Sequence, residues 1–252
     1  MHLRELDVGC HTGTKFVGCL MYADDIILLS PSIVGLQSML GKCFDVACDL
    51  SLQFNVNKCH IIVFGKKYNC QLPSVFLGSS TIDWCTSVEY LGVYLLSGKY
   101  LKFDIMPAKR AFSFACNSIF MSGSGVDELA LLALQESYSL PVLLYAIPAL
   151  SLRSRQIDEL NVCWNNVIRR LFKYNKWESV KAVLLGLGRL NVSHLIMLRK
   201  VNFYRHLFTS KNRILSCALH SFMLRRCDVM ANSVLVTSSL LYRQSMTNLR
   251  HM

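Results

Sequence analysis

The chain has 252 residues, of which 52% are hydrophobic and only 17% charged. The charged share is low for a soluble chain and the apolar share is enough for a sizeable core, so disorder as the main state is excluded. Charge is one-sided: residues 1–100 sum to −1 and residues 101–252 to +12, a balance that favours an anionic partner over a small neutral substrate. The 11 cysteines include no C-x-x-C pair. Their odd number and scatter argue against a disulfide framework and for an intracellular, reducing compartment. The N-terminus is charged, and no uncharged run exceeds that of 137–152, which is broken by Pro141 and Pro148. Neither a signal peptide nor a membrane span is expected from that.

In chain order, the apolar runs 16–22 and 26–29 flank Ala23-Asp24-Asp25, which predicts a hairpin with two acids at its tip. Ile33, Leu36, Leu40, Cys43 and Ala47 recur at helical spacing. They predict a helix over about 33–50 whose apolar stripe lies on the hairpin's sheet. The run 60–64 ends at Gly65-Lys66-Lys67, and 88–96 is another strand candidate, interrupted by Gly92. Strands and helix intermingle, as in an α+β domain.

From residue 104 only helical periods remain, with Asp104 able to cap a helix that has Pro107 in its first turn. The clearest helix covers 156–173: Ile157, Leu160, Trp164, Val167, Ile168 and Leu171 share one face, while Arg169, Arg170 and Lys173 decorate the other. Arg153 and Arg155 extend this basic surface, which reads either as a solvated face or as a contact to a nucleic-acid backbone. Past 211 a Ser/Thr-rich stretch leads to a basic end. The expected division is 1–103 α+β, 104–210 all-α, and 211–252 an unassigned basic tail.

Two adjacent carboxylates ~6 Å apart repel by about 3 kcal/mol at an effective dielectric near 20. A divalent cation removes that repulsion, and hard oxygen ligands suit Mg²⁺. On pattern alone, Asp-Asp in a hairpin is usually no more than a polar turn. The wider string G-C-L-M-Y-A-D-D-I-I-L-L-S at 18–30 resembles the catalytic palm hairpin of reverse transcriptases of LINE-type, non-LTR retrotransposons, with Tyr22-Ala23-Asp24-Asp25 as the Y-x-D-D motif. The resemblance continues in the family's order through the helix at 36–50, F-N-V-N-K-C at 54–59 as the next palm motif and E-Y-L-G-V-Y-L at 89–95 as the primer-grip hairpin. The helical part, including L-Q-E-S-Y-S-L-P-V-L-L-Y-A at 134–146, is similar to the thumb that follows the palm.

This resemblance implies an α+β partial polymerase palm followed by an all-α thumb-like region. It also implies RNA-directed DNA polymerisation, with an RNA template, a DNA primer, a deoxynucleoside triphosphate and Mg²⁺. Asp24 would bind the catalytic metals and Asp25 support the site; Tyr22 would lie near the primer terminus. Lys58 would lie near the triphosphate, and Tyr90, Leu91 and Gly92 would form the primer grip, Gly92 letting backbone approach the primer closely. The family's palm also uses an Asp on a strand upstream of the hairpin, whereas this sequence starts 21 residues before Tyr22 and Asp7 does not match that motif. The fingers are likewise unmatched. The expectation is therefore a palm-and-thumb fragment that is inactive alone and binds Mg²⁺ weakly. The rival readings are a noncatalytic nucleic-acid-binding module and a gene remnant without activity.

Overall fold

The computed structural model describes residues 3–212, 214–216, 234–239 and 241–243, the last two stretches as backbone. The architecture is mixed α+β, with small sheets and several helices. The chain divides into two compact units: residues 1–102 together with 210–252, and residues 103–209.

The first unit opens with a 3₁₀ turn, Leu3–Leu6, and a short ladder of β1 (His11–Thr12) with β2 (Lys15–Phe16). Then β3 (Cys19–Tyr22) and β4 (Asp25–Ser30) form the expected hairpin, paired antiparallel with Tyr22 opposite Asp25. After it, α1 (Ile33–Asp49) starts at Ser32, whose hydroxyl accepts from the Gly35 N–H at 3.1 Å, satisfying one of the unpaired donors of the first turn. Leu36, Met39, Leu40, Cys43 and Ala47 are its buried stripe. The helix is pinned by Gln37, whose side-chain amide donates to the Phe76 carbonyl and accepts from the Phe76 N–H, both at 2.8 Å.

The remaining strands are β5 (Leu52–Phe54), β6 (Cys59–Val63), β7 (Val75–Leu77), β8 (Ser80–Trp84), β9 (Ser87–Tyr90) and β10 (Val93–Leu96), with β11 (Lys102–Asp104) leading into the second unit. The stretch 88–96, a strand candidate interrupted at Gly92 by composition and a hairpin by the resemblance, is the hairpin of β9 and β10, with Tyr90 opposite Val93. Ile26, Leu28, Leu36, Met39, Ile61 and Ile82 belong to one buried cluster.

Two further strands arise from the segment expected only as a basic tail: β12 (Val234–Ser239) and β13 (Leu241–Arg243). Most of the rest of 211–252 lies outside the described residues. In the six-stranded sheet the order is β3-β4-β12-β6-β8-β7. Because β12 is antiparallel to both β4 and β6, those two strands run parallel with β12 between them and α1 in the crossover. A strand paired on both edges and covered by other elements is buried along its length. Accordingly Ile26 through Ser30 of β4 are all buried. In a separate two-stranded sheet, β13 pairs antiparallel with β5.

The second unit is helical: α2 (Met106–Ser122), α3 (Glu128–Leu134), α4 (Leu140–Leu143), α5 (Ser154–Leu171), α6 (Lys181–Gly186) and α7 (Val192–Thr209). Asp104 accepts from the Met106 N–H at 2.9 Å, one position before the residue that caps α2. Between α3 and α4 the backbone takes a π turn at Gln135–Ser139. There the buried Gln135 amide donates to the Cys116 carbonyl at 3.1 Å, and the Ser139 hydroxyl donates to Gln135 Oε1 at 2.7 Å. The stretch Glu128–Ala149 is long and apolar enough to cross a membrane by length and composition, but its Leu131, Leu132, Leu140 and Leu143 are packed into the unit's own core. Trp164 of α5, 1% exposed, lies in that core together with Leu160, Ile168 and Leu171, as their spacing predicts.

Candidate active site

The acidic hairpin turns in two residues, Ala23 and Asp24, and Ala23 has φ +51°. Two-residue hairpin turns need positive φ in their first position to match strand twist, a place usually given to Gly. For an alanine the left-handed conformation costs roughly 1–2 kcal/mol. The turn leaves Asp24 exposed, while Asp25 begins β4 and is half-buried. Tyr22 stands beside them, 64% exposed.

A cavity of about 520 Å³ opens next to Asp25. Its lining includes Asn57 and Lys58 from the turn just before β6, His60 from β6, and Ser87 through Gly92 from the β9–β10 hairpin. Of the residues singled out in the sequence, Asp25, Lys58, Tyr90, Leu91 and Gly92 thus line one space; Asp24 and Tyr22 adjoin it on the hairpin without lining it. Lys58 ends a single 3₁₀ turn, Val56–Lys58, set by the Lys58 N–H bond to the Asn55 carbonyl at 3.0 Å.

The β9–β10 turn consists of Leu91 and Gly92, with φ +47° and +74°. Positive φ at both central residues defines the tight hairpin turn compatible with strand twist. Glycine meets that need without strain; leucine does not. Burial, with the Asp25 charge as a second cause, pushes the Tyr90 hydroxyl above its ordinary range. At the hairpin's side, Glu89 accepts from the Tyr94 hydroxyl at 2.6 Å, and this bond raises the Tyr94 pKa.

The sequence reading did not single out Asn57, His60 or Glu89. His60 carried a usable signal, being the polar position in a strand whose residues Ile61, Ile62 and Val63 are buried. Its Nδ1 lies 3.6 Å from the Cys85 sulfur. Burial raises the Cys85 thiol rather than activating it, and pushes Cys59 up to about 11, so neither sulfur is a poised nucleophile.

Strand β12 separates the two sides of the site. In register, Ser239 faces Asp25, and Ser238 faces both Ile26 and Cys59. Two inter-strand steps put the backbones of β4 and β6 roughly 10 Å apart. Residues 234–239 contain no carboxylate, and among the described residues no group of three His, Cys, Asp or Glu could hold a metal. Asp24 and Asp25 remain as a two-carboxylate set, which suits Mg²⁺ only when waters and phosphates complete its shell.

The five basic residues named on the helical region fall into two places. Arg153 and Arg155 precede or open α5, with Arg155 Nε 3.5 Å from Glu159. Arg169, Arg170 and Lys173 lie at the other end, roughly 20–25 Å away along the axis. The Arg170 guanidinium stacks 4.0 Å over the Phe120 ring and donates to Asn117 at 2.7 Å. Arg169 donates from Nε to the Glu178 carbonyl at 3.1 Å and from Nη1 to Asn166 at 3.0 Å.

No protein-family model and no solved structure matches the chain. Part of it is similar to the retrovirus-related Pol polyprotein of a type-2 retrotransposable element of Drosophila melanogaster, 28% identical over 95 residues. That stretch is 34% of this chain and 9% of the fly protein, so the chain spans a small part of the relative it matches. The likeness is distant and partial, and it relates the chain to proteins of non-LTR retrotransposable elements.

Proposed function

We propose that the chain is part of a reverse transcriptase of a non-LTR retrotransposon, with residues 1–103 as a partial palm and 104–210 as a thumb-like region. The observation that carries this reading is the convergence of Asp25, Lys58 and the Tyr90-Leu91-Gly92 turn on one cavity, from three segments in the family's motif order. By this reading Asp24 and Asp25 would hold Mg²⁺, which when bound neutralises phosphate charge and aligns attacking and leaving oxygens. Lys58 would meet the charge of the triphosphate. The Leu91-Gly92 turn would hold the primer strand by backbone contact, with Tyr22 near the primer end. RNA template and DNA primer would be the partners, in an intracellular, reducing compartment.

The same reading makes this stretch of chain inactive by itself. Two carboxylates, with no third acidic group grouped with them to hold a metal among the described residues, supply only part of the charge stabilisation that phosphoryl transfer requires. Purified chain is expected to give no primer extension on an RNA template with Mg²⁺ or Mn²⁺. Template-dependent incorporation that disappears in Asp24→Ala would contradict the incompleteness and assign the chain full activity.

A further inference from the structure

Beyond the C-terminal end of α5 the chain makes a tight, well-bonded loop with an unusual occupant. Lys173 takes φ +55°, and the Tyr174 N–H reaches back to the Arg169 carbonyl at 2.9 Å. This is the left-handed closure of a helix end that normally uses glycine. The loop is then locked by Glu178, whose carboxylate accepts from the Asn175 N–H at 2.7 Å and from the Asn175 side-chain amide at 3.0 Å. Between these two fixed points stands Trp177, 88% exposed. The Lys176 ammonium lies 5.0 Å from its ring centroid. Large aromatic surface held in water by a well-bonded loop is costly, and an indole beside an ammonium group matches a ligand with flat rings and negative charge.

We infer that the loop Lys173–Trp177 is a stacking site for single-stranded nucleic acid, with Trp177 receiving a base and Lys173 and Lys176 meeting the adjacent phosphates. Stacking on an aromatic ring tolerates any base sequence, because every base has a π face, and lysines supply the backbone attraction. The inference takes from the proposed function only its class of ligand. It stands or falls separately, because it involves none of the residues from 22 to 92.

The test is a fluorescence titration of the full chain. Trp164 is buried and Trp84 is half-buried with its indole N–H donating to the Pro73 carbonyl at 3.0 Å, so a base that stacks on the protein quenches chiefly Trp177. Oligo(dT) and oligo(rU) twelve-mers are expected to quench the signal at low salt. Trp177→Ala is expected to remove the quench and weaken binding, followed by anisotropy, about tenfold, or about 1.4 kcal/mol. Trp177→Phe should keep most of the affinity. Lys173→Gln and Lys176→Gln should each reduce the salt slope by about 0.7. Since Trp177 is so exposed, circular dichroism and melting of the variants should match the parent. Equal oligonucleotide affinity in Trp177→Ala would overturn the inference. So would a quench produced by anionic phosphatidylserine vesicles but not by oligonucleotides, which would make the loop a membrane contact.

Discussion

The two units of this chain hold their shape by different means. In the 103–209 unit the core residues of α5 repeat along one helix, and its polar core bond from Ser139 to Gln135 spans four residues. In the other unit the candidate site depends on pairings between remote segments: β12, at 234–239, lies between β4 at 25–30 and β6 at 59–63. The first kind of architecture follows from local periodicity, whereas the second must close long loops before any pairing rewards it. The candidate chemistry therefore sits on the part of the molecule whose assembly is least local.

That contrast gives the largest expected effects. Trp164→Ala removes a wholly buried indole from the helical core and should cost about 3–5 kcal/mol. Hydrogen exchange by mass spectrometry should then show protection lost across 103–209. Val236→Pro removes a ladder hydrogen-bond donor from a strand paired on both sides and should be strongly destabilising, with protection lost in β4 and β6. If β4 and β6 keep their protection in Val236→Pro, β12 is not the strand that joins them.

The sequence made the helical region legible because burial and periodicity coincide there: Leu160, Trp164, Val167, Ile168 and Leu171 are buried where their spacing puts them. The acidic hairpin and α1 were legible too, the hairpin from two apolar runs flanking a short polar segment and α1 from its apolar stripe. Strand β12 was not. Val-Leu-Val-Thr-Ser-Ser does carry β-branched residues suited to a strand, but nothing local in it names partners about two hundred residues earlier. The left-handed turns at Ala23 and Leu91 were also hidden, because both positions hold residues that such turns disfavour. At the site, Asp25, Lys58 and the Tyr90–Gly92 turn were found through motif order, while Asn57, His60 and Glu89 came into view only through the fold.

A smaller effect sharpens the geometry within the first unit. The Tyr90 hydroxyl is raised by burial first and by Asp25 second. A raised pKa in the folded state means stability that is present below the free tyrosine value near 10 and lost as pH rises through the folded value. Asp25→Asn should therefore move Tyr90 titration downward, with the burial contribution remaining. The check is a difference in alkaline ultraviolet titration between Asp25→Asn and Asp25→Asn/Tyr90→Phe, compared with the same pair carrying Asp25. An unmoved Tyr90 would place Asp25 too far away to share its cavity.

The central claim is that three segments distant in sequence meet at one metal-and-phosphate site. Iron-directed cleavage tests it most directly: Fe²⁺ enters oxygen-ligand sites in place of Mg²⁺, and with ascorbate and peroxide it cuts the backbone near the metal. Full chain with a deoxynucleoside triphosphate present should be cut near 24–25, near 57–60 and near 89–92, and all three cuts should vanish together in Asp24→Asn/Asp25→Asn. Cuts confined to the acidic hairpin, or cuts that survive the double substitution, would contradict the account.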